Sequence, residues 1–213
     1  MNSLQALGQH GLIGLEIVGT AAFALSGVIQ AMQKKMDMVG VCVCGFLAAF
    51  GGGTLRDVLI DRRPFFWVEQ QSMLIGVLVL CVVCASLLRQ HYLDQSRKLL
   101  LVPDAIGLGL FSATGVHLAW SLGLPPIVAV LMGVVTATFG GVLRDLAGNE
   151  IPRLFRDHRP YAVCALAGGV VYAGLSALHL PDPLPITACA VITVALRILS
   201  VWRNWTLPAL RLH

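Results

Sequence analysis

One polar phrase stands twice inside otherwise apolar stretches: Gly-Gly-Thr-Leu-Arg-Asp at 52–57 and Gly-Gly-Val-Leu-Arg-Asp at 140–145. The copies lie 88 residues apart, and the same offset brings much of their surroundings into register without a gap. Gly19 falls on Gly107, Phe23 on Phe111, Gly27 on Gly115, Gly45 on Gly133 and Pro64 on Pro152. Residues 16–64 and 104–152 share 13 identities in 49 positions, against about one in ten for unrelated chains of ordinary composition. Glu16 also meets Asp104, an acid on an acid. The chain carries an internal duplication, so its fold has to use one unit twice.

The setting of that unit is a membrane. Hydrophobic residues make up 57% of the 213 and charged residues 12%, too little polar surface to cover a soluble core of this size. Apolar windows at about 11–32, 38–60, 69–89, 99–119, 125–147, 161–180 and 184–204 approach or exceed the ~18–20 residues that cross a bilayer. The expected fold is all-α and integral to the membrane, with seven transmembrane helices in a single domain over 1–213. Repeat 1 occupies 11–94, repeat 2 occupies 99–182, and 183–213 forms a seventh helix and a tail. Three spans per repeat is an odd number, so the second copy enters from the opposite face. The repeats are then inverted about an axis in the membrane plane, as in many transport proteins.

Loop charges orient this arrangement. Lys34, Lys35, Arg89, Arg97, Lys98, Arg153, Arg156, Arg159, Arg203 and Arg211 fall on one side, and only Arg62 and Arg63 on the other. Positive charge marks the cytoplasmic side, so the C-terminus is expected inside and the N-terminus outside a bacterial inner membrane. No basic residue precedes the first apolar run, which favours a retained span over a cleaved leader. All six cysteines lie inside the spans. Cys81-x-x-Cys84 has redox spacing, but no His or acid accompanies it there, and it reads as apolar filler. No Walker loop, HExxH motif or nucleophile elbow is present, so neither an enzyme nor a nucleic-acid partner is expected.

The residues that could carry function cluster at the duplicated phrase. Gly51, Gly52 and Gly53 in span two, and Gly140 and Gly141 in span five, are predicted to kink or unwind their helices. Broken backbone at membrane depth lines a cavity or is buried in protein, and its freed carbonyls suit a cation. Arg56 and Arg144 follow the glycines, and a charge at such depth is costly unless paired. Counting from the span ends sets Glu16 and Arg56 at one depth, roughly 7 Å in, and Asp104 with Arg144 at the matching depth on the other face. Two ion pairs follow, Glu16–Arg56 and Asp104–Arg144. Asp57 and Asp145 leave the helix about 100° from the adjacent arginines, so they read as unable to pair with them and free to line a path with Thr138. Thr136, Ser26, Thr114 and Thr54 read mainly as partners for backbone carbonyls, and His117 as a packed neutral imidazole. No metal or cofactor site is expected.

The doubled Gly-Gly-x-Leu-Arg-Asp within two three-span repeats and a seventh span resembles a bacterial membrane-protein family labelled glycine transporter-like and related to the trimeric intracellular cation channels. The resemblance implies a homotrimer in contact with membrane lipids, with a pore inside each protomer bordered by spans two and five. Gly51, Gly52, Gly53, Gly140 and Gly141 carry over as kink positions. Animal members have Lys-Glu-Val after the first glycine break, where this chain has Leu55-Arg56-Asp57. Two functions are compatible: a K⁺-permeable channel, or a secondary transporter for glycine or another small zwitterion. Freed carbonyls, Thr138, Asp57 and Asp145 favour a cation, provided Glu16 and Asp104 neutralise the arginines.

Overall fold

The computed structural model describes residues 3–88, 97–156 and 159–206, with the backbone alone at 3–10 and 97–98. Arg89, Arg211 and the expected end of repeat 1 at 94 lie outside the described residues. Those residues form nine helices: α1 (Ser3–Gln33), α2 (Met38–Leu59), α3 (Phe66–Glu69), α4 (Gln71–Leu87), α5 (Arg97–Ser121), α6 (Pro126–Ala147), α7 (Arg153–Arg156), α8 (Ala162–Ala177) and α9 (Pro183–Trp202). Five contain stretches long and apolar enough to cross a membrane: Gly11–Gln33, Met38–Leu59, Leu99–Ser121, Pro126–Ala147 and Pro183–Trp202. The expected spans at 69–89 and 161–180 are occupied by the shorter apolar helices α4 and α8. With 17 and 16 residues these reach only about 24–26 Å at 1.5 Å per residue. Each follows a four-residue helix, α3 or α7, at the end of the preceding connection.

The two halves exchange contacts under the offset of 88. A Cβ on Gly52 would collide with the Thr136 carbonyl oxygen, and one on Gly140 with the Ala48 carbonyl oxygen. Gly107 lies against Phe23, and its counterpart Gly19 lies against Phe111. Phe23 and Phe111, the same position in each copy, stack on one another with centroids 5.4 Å apart and planes within 8°. Reciprocal contacts of this kind are what a two-fold axis between the copies produces. The partners run in opposite senses along the chain, position 48 facing 140 while 52 faces 136, so α2 and α6 are antiparallel, and α1 and α5 likewise.

Within each half the first two helices close on glycine as well: Gly27 meets the backbone of Cys44 and Gly45, and Gly115 meets Gly133. Without hydrophobic attraction between helices in lipid, close backbone approach at small residues is the main source of packing energy, and here it recurs at every principal interface. The ninth helix has no counterpart among the described residues. It packs on α5 and α8 through Gly109 against Ala190 and Val194, and Gly168 against Cys189 and Thr193. The matching groove between α1 and α4 holds no helix of the described residues and carries a cleft of about 300 Å³ lined by Ile17, Thr20, Met73 and Val77 among others.

Candidate functional site

The duplicated Arg-Asp pairs sit near the C-terminal ends of α2 and α6, and all four side chains are buried. At the second node Arg144 is fully engaged. Its Nη1 donates to Asp104 Oδ1 at 2.7 Å and to Ser26 Oγ at 2.8 Å. Its Nε and Nη2 both donate to Asp145 Oδ1, at 3.1 and 2.9 Å. The other Asp145 oxygen accepts from the Arg153 N–H at the start of α7, at 2.9 Å. That carboxylate therefore satisfies an amide left open at a helix start while it holds the guanidinium. Arg197 of α9 lies close by, with its guanidinium 4.6 Å from the Tyr161 ring centre and its Nη1 donating to the Pro160 carbonyl. Asp104 Oδ2 and the Tyr161 hydroxyl have no hydrogen-bond partner among the described residues.

The first node repeats part of this. Arg56 Nε donates to Asp57 Oδ1 at 2.9 Å, and Nη2 stands 2.8 Å from the same oxygen. Asp57 Oδ2 accepts from the Phe66 N–H at the start of α3, the counterpart of the Asp145 bond to α7. Arg56 also lies 5.5 Å from the Phe66 ring centre. Neither its Nη1 nor its Nη2 makes a hydrogen bond among the described residues, however, and neither does the hydroxyl of buried Thr114, which aligns with Ser26 under the offset of 88. The bond that Ser26 makes to Arg144 in one half has no counterpart between Thr114 and Arg56 in the other.

A family model described as Glycine transporter matches residues 13–89 and again 101–177, two copies displaced by the same 88 residues. The chain belongs to this family. It is 37% identical to the inner membrane protein YadS of Escherichia coli K12 over 93% of this chain and 95% of that one, and 32% identical to the membrane protein YvgT of Bacillus subtilis over 91% and 94%. Both carry the family label UPF0126. Among solved structures it resembles a TRIC cation channel at 35% identity and TM-score 0.84, over 93% of this chain and 97% of that one. A second is the TRIC trimeric intracellular cation channel orthologue of Rhodobacter sphaeroides, at 35% identity and TM-score 0.81, over 90% and 98%. The chain is thus an all-helical membrane protein of the TRIC-like fold, akin to inner membrane proteins.

Within this family fold, three expectations need correction. Glu16 forms no ion pair with Arg56; Asp57 takes that place. Glu16 is half-buried on α1 and has no ion-pair partner among the described residues. The claim that Asp57 and Asp145 cannot reach the adjacent arginines also fails. Their Cβ directions do diverge, but a guanidinium at the end of a long flexible stem folds back far enough to meet the next residue's carboxylate. Neither aspartate is therefore free: each spends one oxygen on arginine and one on a backbone amide. The third correction concerns unwinding at the glycines. Both α2 and α6 remain α-helical through Gly51–Gly53 and Gly140–Gly141, with no unwound turn. All five glycines are buried. Gly51 lies against Leu143, Gly53 against Phe66 and Gly141 against the Tyr161 hydroxyl, so they serve close packing between and within the halves. Thr138 is buried and its hydroxyl donates to the Val134 carbonyl of its own helix.

Ser26, which the sequence offered only as a partner for a backbone carbonyl, and two residues that it did not nominate complete the second node. Ser26 donates to the Phe23 carbonyl, as expected of a serine in a span, and also accepts from Arg144. Tyr161 and Arg197 join it from α8's N-terminal boundary and from α9. An arginine inside the seventh apolar window was the available signal for Arg197, since a charge there needs a polar neighbour.

Proposed function

We propose that this chain is a cation channel, permeable to K⁺, with a conduction path inside each protomer and three protomers per assembly. The likeness to the TRIC cation channel over nearly the whole of both chains carries this reading. In it, α4 and α8 are spans as well, which makes seven, with the N-terminus outside and the C-terminus in the cytoplasm as the loop charges require. The path runs alongside α2 and α6, past Asp57, Thr138 and Asp145 and beside the glycine faces that close the two halves on each other, and membrane lipids surround the trimer. The internal two-fold supports a pore within the protomer, because the polar nodes are related by symmetry inside one chain. Carbonyls released at broken helices were a motive for the channel and for a zwitterion carrier alike, and both helices run unbroken, so it is the likeness to the TRIC cation channel that favours the channel. The test is recording from the purified chain in planar bilayers under a KCl gradient. A reversal potential near that of K⁺ is expected, and one near that of Cl⁻ refutes the reading. Cross-linking should stop at three copies; a stop at two removes the trimer.

A further inference from the structure

The helix without a counterpart, α9, fills only one of two equivalent grooves. It reaches α5 and α8 by laying its backbone on two glycines. A Cβ on Gly109 would come 2.7 Å from the Ala190 carbonyl oxygen, and one on Gly168 would come 2.8 Å from that of Cys189. Under the offset of 88 these positions become Ala21 and Leu80, and both line the cleft of about 300 Å³ between α1 and α4. A leucine where the other half has glycine holds a helix backbone off, so the first groove cannot seat a helix as the second does. Its floor stays open at Gly76, where a Cβ would meet nothing within 4 Å. The cleft is also graded in polarity. At one end lie Gln70 and Ser72, next along the chain to Glu69, whose pair with Arg62 is partly exposed. Deeper in, the lining is Ile17, Met73, Val77 and Leu80, and the one hydroxyl there, that of Thr20, is turned on the Met73 sulfur at 3.5 Å. From Gln70 to Leu80 the helix climbs about 15 Å, half of the ~30 Å hydrocarbon core.

We infer that this groove binds one acyl chain of a membrane phospholipid, drawn from the leaflet at the start of α4, with the glycerol esters at the level of Gln70 and Ser72. The length of the cleft is the depth of a single leaflet, and its polarity follows that of a phospholipid: donors at the membrane surface, hydrocarbon below. The Gln70 amide and the Ser72 hydroxyl can donate to ester carbonyls, which have no donors of their own. A flexible chain bends past Leu80 where a rigid helix cannot, and it supplies the van der Waals contacts that an empty groove leaves unmade. The lipid thus does for the first half what α9 does for the second. The inference needs only the membrane setting of the chain and is independent of conduction.

The test reconstitutes the full chain in vesicles of phosphatidylethanolamine and phosphatidylglycerol, takes it up in mild detergent and weighs it intact by native mass spectrometry. One phospholipid retained per chain is expected. Gly76→Leu puts a side chain where the acyl chain would lie, and it should lower the retained fraction about fivefold. Gly174→Leu, equally free of neighbours but on α8, should leave that fraction unchanged. Changing Gln70→Ala with Ser72→Ala alters only the rim of the cleft, so the fold is kept, and retention should fall about threefold. Absence of retained lipid, or retention indifferent to the changes at Gly76 or at Gln70 and Ser72, overturns the inference. A second measurement identifies the occupant in the vesicles themselves. Benzoylphenylalanine is placed at position 17 in place of Ile17 and irradiated, and the adduct is read by mass spectrometry. A phospholipid adduct that falls about fivefold on Gly76→Leu is expected. An adduct with a second copy of the chain would make the groove a contact between protomers and would overturn the lipid assignment.

Discussion

Replacing Arg144 with glutamine should destabilise the chain more than the same change at Arg56. Arg144→Gln removes the cation that faces two buried carboxylates and a serine hydroxyl. Removing one partner of a buried pair costs about 3–5 kcal/mol, because the other charge stays buried and uncompensated. For a chain of this length each kcal/mol lowers the melting midpoint by about 2–4 °C, so a drop of roughly 6–20 °C follows. Arg56→Gln strands only Asp57, which keeps its bond from the Phe66 amide, and it also removes two terminal nitrogens that make no hydrogen bond among the described residues. The expected loss is correspondingly smaller. Thermal unfolding in detergent, followed by circular dichroism, ranks the two. The cycle of Arg144→Gln with Asp104→Asn should then recover at least about 1 kcal/mol relative to the sum of the single changes, since each single change orphans what the other removes. An Arg144→Gln protein within about 1 kcal/mol of wild type, or one less affected than Arg56→Gln, would refute the assignment of the second node as the tighter one.

The glycine contacts make a paired prediction. Gly52→Ala and Gly140→Ala push a methyl group into a backbone carbonyl of the opposite half, and each should cost roughly 1–3 kcal/mol or prevent assembly of the native fold. Gly76→Ala and Gly174→Ala meet no atom within 4 Å, and both should leave the midpoint unchanged or raise it slightly, as alanine is the better helix former. Equal effects at all four positions would contradict the reciprocal packing. At the charge-rich end, Lys34 pairs with Glu150, and the hydrogen bond from Lys34 leads the causes that hold the Glu150 carboxyl below its ordinary range. A depressed folded pKa gives stability that is present above the unfolded value, about 4.3, and is lost as pH falls through the folded one. With side chains 38% and 23% exposed the pair is worth under about 1 kcal/mol, and Glu150→Gln should remove that increment at pH 7 while changing little at pH 3. A penalty of the same size at both values would mean that charge plays no part.

Much of this architecture is legible because membrane insertion writes itself into composition. The apolar windows locate the long helices to within a few residues, and an ungapped offset finds both copies of the unit. Depth counting sets Asp104 beside Arg144 because both lie on α-helices, whose rise per residue is fixed. The same count cannot decide between two acids at similar depth. Arg56 has Glu16 and Asp57 within reach on those terms, and only the path of its side chain selects the neighbour in sequence. The glycines were opaque for a related reason. A run of three invites a break in isolation, whereas here each glycine makes room for a group from elsewhere in the fold, Leu143, the Thr136 carbonyl or Phe66, which no local pattern encodes. Thr136 opposite Gly52 and Ala48 opposite Gly140 become readable only once the two halves are folded against each other.

The duplication also explains why the small departures from it matter. Two identical halves related by an in-plane axis would present the same groups to both faces of the membrane, and nothing in such a molecule would distinguish inward from outward. Here the arginines and adjacent aspartates are identical in the two copies, each aspartate anchoring the short helix that follows it. The flanking positions diverge. Asp104 closes on Arg144, whereas Glu16, one methylene longer, leaves Arg56 to Asp57. Ser26 accepts from Arg144, whereas the hydroxyl of Thr114 has no partner among the described residues. The shared core of each node keeps buried guanidinium groups tolerable inside an apolar protein, and that requirement falls on both halves alike. Direction enters only through the shell around the nodes. The positions to exchange are therefore 16 with 104 and 26 with 114. A chain carrying Glu16→Asp and Ser26→Thr together with Asp104→Glu and Thr114→Ser should fold as before, with its tight node moved to Arg56. Thermal ranking of Arg56→Gln and Arg144→Gln in that background checks it: the order should invert, and an unchanged order would mean that the asymmetry lies elsewhere in the fold.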